Sequence, residues 1–237
     1  MIPKKIHYCW FGRAAKPRLA EKCIKSWKKY CPHYEIIEWN EDNFDVNLNP
    51  YTKMCYTQKK YAFLSDYIRL LIVYRYGGIY LDTDVEIIKP FDDLLDRGAF
   101  LGFENDQYVN TGVGFGAEAG HILVKKMLEE YNPYLSGDNG TAGCPILNTS
   151  ALLREGLKQD GTLQQINGAV IYPKEYFNPL ESTTGKLLKT ENTYSIHWYS
   201  MSWLPLGQRL KSKVTKVFHR LFGTECFRFL INEDKDK

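Results

Sequence analysis

Apolar residues recur at helical spacing most clearly over residues 60–76, where Phe63, Leu64, Tyr67, Ile68, Leu71 and Ile72 form one stripe. Gly77-Gly78 ends that helix. The run Ile79-Tyr80-Leu81 predicts a short buried strand, and Asp82-Thr83-Asp84 follows it at once. Residues 85–88 resume extended structure until Pro90 breaks it. Upstream, residues 5–11 predict a first strand, closed by Gly12, and Pro17 opens a helix with Leu19, Cys23, Ile24 and Trp27 on one face. Residues 34–39 predict a second strand, so the chain opens as β-α-β, the start of an α/β sheet. Downstream, residues 99–104 and 113–117 predict strands, with a polar loop containing Asn110-Thr111-Gly112 between them. Helices are predicted over 121–131 and 145–157, and a late strand over 194–198. Residues 208–222 predict a last helix. Leu210, Val214, Val217, Phe218, Leu221 and Phe222 fall on one face, and Arg209, Lys211, Lys213, Lys216 and Arg220 on the other.

The 237 residues suffice for one good-sized core. The expected division is a main domain over 1–205 and a basic amphipathic helix and tail over 206–237. The 17 tyrosines favour a carbohydrate site only weakly, because such rings also fill cores. A net charge of +3 is too small to point to nucleic acid. The N-terminus has no apolar signal region, and no run of about 18 apolar residues predicts a spanning helix. The six cysteines show no CxxC and no zinc spacing, so reduced, buried thiols and a cytoplasmic setting are expected.

Asp82 and Asp84 flank one residue at the end of a buried strand, and alternate residues of a strand face the same way. Two such carboxylates repel each other unless a cation lies between them, and a hard divalent ion with open positions for phosphate fills that role. A lone Asp-x-Asp is usually a turn. Here it stands at the carboxyl end of a strand, where α/β folds place ligands. Asp66 and Arg69, three residues apart, share one face of the preceding helix. A guanidinium suits phosphate oxygens and a carboxylate suits paired sugar hydroxyls.

The segment Ala62-Phe63-Leu64-Ser65-Asp66-Tyr67-Ile68-Arg69, with Tyr76-Gly77-Gly78-Ile79-Tyr80-Leu81-Asp82-Thr83-Asp84, resembles the DXD sugar-binding region of glycosyltransferase family 32. That family includes capsular polysaccharide and O-antigen transferases, and the same block is similar to the glucosyltransferase domains of the large clostridial toxins. The opening Ile2-Pro3-Lys4-Lys5-Ile6-His7-Tyr8-Cys9-Trp10-Phe11-Gly12 and the closing His197-Trp198 with Ser202-Trp203 resemble the family's ends. The resemblance implies a GT-A fold, a Rossmann-like mixed central sheet flanked by helices. It also implies transfer from a UDP-sugar with Mn2+ or Mg2+ and retention of anomeric configuration.

By the same resemblance, Trp10 stacks on the uracil ring, although a core tryptophan is an equal reading. Ser65, Asp66 and Arg69 lie at the donor sugar and diphosphate. Tyr80 lies against ribose or sugar, or in the sheet core. Asp82 meets ribose and metal-bound water, Asp84 is the direct metal ligand, and His197 is either a third metal contact or structural. Ser202 and Trp203 form a closing loop over the donor. Asn110 sits near the anomeric carbon, with Asp82, Arg69 and Asn110 as the catalytic set. No carboxylate replaces Asn110, so front-face displacement fits better than a covalent double displacement.

Two other readings use the same residues. A nucleotide-sugar or glycan-binding module without catalysis is disfavoured by the intact Asp66, Arg69, Asp82 and Asp84. A metal-dependent phosphohydrolase or nucleotidyltransferase would need further acidic ligands or a phosphate-gripping Gly/Lys loop, and no Walker-type motif occurs. The basic last helix is either packed on the body or an interfacial anchor at the inner leaflet. An anchor there suits a polyprenyl-diphosphate-linked oligosaccharide acceptor.

Overall fold

The computed structural model describes residues 1–200 and 206–223. In chain order the elements are β1 (Lys5–Cys9), α1 (Arg18–Tyr30), β2 (Glu35–Trp39), α2 (Pro50–Thr57), α3 (Tyr61–Tyr76), β3 (Gly78–Tyr80), β4 (Val85–Ile87), β5 (Ala99–Gly102), β6 (Phe115–Ala117), α4 (Ile122–Glu129), α5 (Cys144–Arg154), β7 (Gln164–Ile166), β8 (Ala169–Tyr172), α6 (Lys174–Phe177), β9 (Ser195–His197) and α7 (Leu206–Phe222). Seven strands form one sheet in the order β2-β1-β3-β6-β5-β8-β7, and β4 pairs with β9 in a separate two-stranded ribbon.

The sheet is mixed. β1 runs parallel to β2 and β3, and β5 parallel to β8, whereas β6 is antiparallel to both β3 and β5 and β7 is antiparallel to β8. One face is covered by α3 and α4, whose Leu64, Ile68, Ile72, Leu123 and Val124 pack with Leu101 and Phe115. The other face takes Cys23 and Trp27 of α1, with Ile6, Ile79, Val85 and Phe100. Both faces are thus removed from water, which is the main source of stability in such a layered fold.

Two local features fix the start of the site. Gly77 ends α3 at φ +63 and Gly78 follows at φ +107, a left-handed region that suits glycine. A Cβ on Gly78 would meet His7 Nε2 and the Lys5 carbonyl at 2.9 and 3.0 Å, so glycine also permits the close approach of β3 to β1. The second feature is α1, which pins β4. Trp27 Nε1–H donates to the Val85 carbonyl at 2.7 Å, and the Ile87 N–H donates to Ser26 Oγ at 2.9 Å.

The carboxylates of Asp82 and Asp84 do not converge by strand alternation. β3 ends at Tyr80, and residues 82–85 make a turn in which the Val85 N–H donates to the Asp82 carbonyl at 3.0 Å. The segment is therefore a turn and also the point where acidic side chains gather. Four elements were not expected from hydrophobic periodicity: α2, β7, β8 and α6. α2 starts from an Asn49 capping box with Pro50 in its first turn. β8 is a run of four buried residues, too short to separate strand from helix by pattern.

Cys9, Cys23, Cys31, Cys55 and Cys144 are buried free thiols. Among the described residues no helix is long and apolar enough to cross a membrane. On α7, Val214 and Val217 are each 57 % exposed and Leu221 is 69 % exposed.

Candidate active site

The parallel orientation of β1, β2 and β3 brings Trp10, Trp39 and Asp82 to the carboxyl ends of these strands. At the end of β3, Asp82, Asp84 and His197 each offer a ligand atom, and these atoms lie within 4.8 Å of one another. His197 arrives from β9, where it stands opposite Val85 of β4. Its Nε2 lies 3.3 Å from Asp84 Oδ1. The Ser200 N–H donates to Asp84 Oδ2 at 2.7 Å, and the Trp198 N–H donates to the Asp84 carbonyl at 2.9 Å. Asp84 is thus held on both its side chain and its main chain by one returning segment.

Arg69 joins this corner to α3. Its side chain is only 3 % exposed, and its Nη2 lies 2.9 Å from Asp66 Oδ1 and 3.0 Å from Asp82 Oδ1. Its Nε–H donates to the Ser65 carbonyl at 3.2 Å. The guanidinium also stands 4.8 Å from the centroid of the Tyr80 ring. A buried cation between two carboxylates and an aromatic face is compensated on each side, as burial of charge requires.

The charges of the corner are unequal. Burial pushes the Asp82 carboxyl up to about 6, with the neighbouring Asp84 charge adding to it and Arg69 opposing. Burial acts on Asp84 in the same direction, but His197 and Ser200 outweigh it and hold that carboxyl well below the usual range. Burial disfavours the charged form of His197, yet Asp84 beside it raises its pKa. Burial raises Asp66 against the pull of Arg69.

These residues fit a divalent cation. Two carboxylates and an imidazole are a reasonable oxygen-nitrogen set for such an ion. Asp82 is protonated more readily than an ordinary carboxyl because burial and the neighbouring Asp84 charge outweigh the pull of Arg69 and His197. The Nδ1 of His197 is buried with no hydrogen-bond partner among the described residues, so the ring has an unused ligand atom.

The other expected residues have mixed positions. Asn110 is buried at the edge of the corner, where its Oδ1 accepts from the Gly112 N–H at 2.7 Å and lies 3.3 Å from the Cys144 thiol. The Ser65 hydroxyl donates to the Ala62 carbonyl within α3, so Ser65 reaches Arg69 through its main chain instead. Tyr80 is fully buried and lies under Arg69 as part of the core. Trp10 is half-buried at a cleft with Arg13, Lys16, Glu38 and Asn40, and its Nε1–H donates to the Ala14 carbonyl at 2.7 Å. That cleft lies at the carboxyl ends of β1 and β2. Ser202 and Trp203 lie outside the described residues.

Three participants carried no signal of their own. Cys144 opens α5 among Asp66, Arg69, Thr111 and Asn110, with Arg69 Nη1 at 3.8 Å and Thr111 Oγ1 at 3.9 Å from its sulfur. Gly112 presses its main chain against Asp82. Ser200 supplies a main-chain donor, which any residue type could provide. Only the Gly143-Cys144-Pro145 sequence, a helix opening, could have marked Cys144.

Comparisons with known proteins agree with this geometry. A family model described as the glycosyltransferase sugar-binding region containing the DXD motif matches residues 17–101. Human alpha-1,4-N-acetylglucosaminyltransferase is 30 % identical over 179 residues, which cover 69 % of this chain and 50 % of that protein. Inositol phosphoceramide mannosyltransferase 3 of Schizosaccharomyces pombe is 30 % identical over 135 residues, 54 % of this chain and 36 % of that protein. The chain thus spans half or less of the length of these curated relatives. Among solved structures, the PaToxG glycosyltransferase superposes with a TM-score of 0.52 at 19 % identity, over 65 % of this chain and 70 % of that one. At that identity the likeness concerns the fold. It places the mixed sheet in the GT-A class that the sequence led us to expect.

Proposed function

We propose, from the premise that this chain carries a glycosyltransferase domain of the family-32 type, that it moves a hexose from a UDP-sugar to a glycan acceptor with retention of anomeric configuration. The observation that carries this reading is the convergence of Asp82, Asp84 and His197 beside the buried Asp66–Arg69–Asp82 chain of ion pairs. Mn2+ or Mg2+, bound by those three residues, would supply positive charge against the diphosphate.

The chain's own groups then divide the work. Asp84, anchored on both sides, fixes the position of the corner. Arg69 offers a guanidinium to the diphosphate as negative charge develops on the leaving group. Asp66 accepts from sugar hydroxyls, and the Asn110 amide stands beside Gly112, whose carbonyl accepts from the Asp82 N–H. Since Asn110 is an amide, this position offers no carboxylate nucleophile. Front-face displacement, in which the acceptor oxygen attacks on the face from which UDP departs, is the reaction this set of residues favours. Trp10 would stack on the base at the rim cleft.

The names of the relatives support a hexose donor without singling one out, and glucose, galactose and N-acetylhexosamines all remain within the proposal. Two of them, an inositol phosphoceramide mannosyltransferase and the rat lactosylceramide 4-alpha-galactosyltransferase, are named for acceptors borne on lipids. A lipid-linked acceptor is in keeping with those names, and the one proposed here is a polyprenyl-diphosphate oligosaccharide of bacterial surface polysaccharide synthesis. The exposed Val214, Val217 and Leu221 of α7, interleaved with Lys211, Lys216 and Arg220, suit the anionic inner leaflet of a membrane. The proposed location is therefore the cytoplasmic membrane face.

The test is a donor screen. The wild-type chain should release UDP from at least one UDP-hexose, several-fold faster with Mn2+ than with chelator, and proton NMR of the first-formed product should show the donor's anomeric configuration. Failure of every UDP-sugar to give metal-dependent turnover or a thermal shift would overturn the reading. Deletion of residues after Pro205 should abolish binding to anionic liposomes and leave UDP release intact. Unchanged liposome binding would remove α7 from the proposal.

A further inference from the structure

Tyr199 occupies a conformation that a bulky residue rarely adopts. Its φ is +48, in the left-handed region that side-chain-bearing residues rarely enter. Such a residue persists only where its surroundings hold it. The phenol hydroxyl takes a 2.5 Å hydrogen bond from Asn178 Nδ2, with the Glu104 carboxylate close enough to act on it electrostatically. Asn178 is itself 3 % exposed and donates to the Glu104 carbonyl at 2.9 Å, so the end of β5 and the end of α6 form one fixed mount. The ring lies 4.3 Å from the His197 ring.

The next residue shows what the strained turn delivers. The Ser200 N–H donates to Asp84 Oδ2 at 2.7 Å. The turn at Tyr199 therefore orients two groups of the acidic corner at once, the imidazole of His197 by packing and the carboxylate of Asp84 through Ser200.

We propose that Tyr199 is a positioning residue for the cation-binding corner, setting its affinity for a divalent ion without touching the ion. The inference rests on the reading of Asp82, Asp84 and His197 as the cation ligands. Removing the hydroxyl frees the ring from Asn178 and Glu104, lets the backbone relax out of the left-handed region, and withdraws the Ser200 N–H from Asp84. Partners one step removed from a ligand commonly change metal affinity 10–100-fold.

The experiment is a titration with Mn2+ alone, followed by the paramagnetic resonance signal of free Mn2+, on full-length wild-type, Tyr199→Phe, Glu104→Ala and the double variant. Tyr199→Phe should weaken Mn2+ binding roughly tenfold, while the melting temperature without metal stays within a few degrees of wild type. In the Glu104→Ala background, Tyr199→Phe should lose at least half of its effect, because the hydroxyl has already lost one anchor. Glu104→Ala also serves if Tyr199→Phe does not fold, since it alone should weaken Mn2+ binding several-fold. Wild-type binding of Mn2+ with unchanged affinity in Tyr199→Phe, or in Glu104→Ala where only that variant folds, would overturn this inference and leave the cation site standing. Fully additive effects in the double variant would overturn it too. Absence of Mn2+ binding by the wild-type chain would overturn the cation site and the inference with it.

Discussion

Gly112 and Asp82 are held together by their main chains: the Asp82 N–H donates to the Gly112 carbonyl at 3.2 Å, and the α-carbon of Gly112 faces the Asp82 carboxylate. A Cβ at Gly112 would overlap Asp82 Oδ2 and come within 2.7 Å of Arg69 Nη1. Gly112→Ala should therefore displace the carboxylate that links the Arg69 pair to the cation corner. Because small misplacements of reacting groups cost about 10²-fold in rate, UDP release should fall by about that factor. Stability should fall by about 1–3 kcal/mol, the usual cost of overpacking. Steady-state kinetics beside a urea melt checks both, and near-normal turnover in a folded Gly112→Ala protein would contradict the geometry.

Asp84 and Asp82 should differ when removed. Asp84 is locked by His197 and Ser200 and stays ionised, whereas Asp82 shares its charge with Arg69. Asp84→Ala should abolish saturable Mn2+ binding and all metal stimulation. Asp82→Asn should retain binding weakened by about 10–100-fold, the range for perturbed metal sites. Isothermal titration of both variants with Mn2+ gives the comparison, and full manganese-stimulated turnover in Asp84→Ala would refute the assignment.

Arg69 is a buried member of the ion-pair chain and, in the proposed function, also a donor to the diphosphate. Removal of one member of a buried ion pair costs about 3–5 kcal/mol, since the partner charge is left unpaired. Arg69→Ala exposes Asp66 and Asp82 to that penalty, so urea denaturation should show a loss of that order. Arg69→Lys keeps the charge but cannot supply the forked donors that reach Asp66, Asp82 and the Ser65 carbonyl together. It should be more stable than Arg69→Ala and still lose most of its activity.

His7 gives a pH dependence away from the site. The Trp39 Nε1–H donates to His7 Nδ1 at 3.2 Å, so the proton of the neutral ring lies on Nε2, 2.9 Å from the Gly77 carbonyl. Burial lowers its pKa below the ordinary 6.5, with the Gly77 bond opposing. A histidine with a depressed folded pKa contributes full stability above the unfolded value, and that stability is lost as pH falls below about 6.5, at up to about 1.4 kcal/mol per pH unit. His197, with a raised pKa, acts with the opposite sign, so comparison with His7→Gln isolates the His7 contribution. The wild-type chain should lose stability faster than His7→Gln between pH 6.5 and 5. Parallel stability curves would show that the His7 pKa is the same in the folded and unfolded states, against the lowering expected from its burial.

How much of this was legible depends on the range of the signal. The α3 stripe, the Gly77-Gly78 stop and the short buried strand are local patterns, and each lies where periodicity and glycine chemistry put it. Asp66 and Arg69 could be paired from their helical spacing alone, and they stand 2.9 Å apart. The third member of that group, Asp82, is set by the turn at residues 82–85 and not by any strand alternation. Cys144 and Ser200 were hidden because their parts depend on chain returns of 75 residues to Arg69 and 116 residues to Asp84. β8 and α6 were missed for a different reason: four-residue elements contain too few positions to show a period.

The pairing of β4 with β9 also bears on the order in which the molecule is completed. Val85 stands opposite His197, yet more than a hundred residues separate them in the chain, and β4 belongs to no other sheet. A ribosome delivers Asp84 long before the strand that anchors it. Until β9 arrives, β4 is an open edge beside a carboxylate that lacks its His197 and Ser200 partners. During synthesis the layer built on β1, β2 and β3 can close first, with the acidic corner assembled among the last parts of the fold.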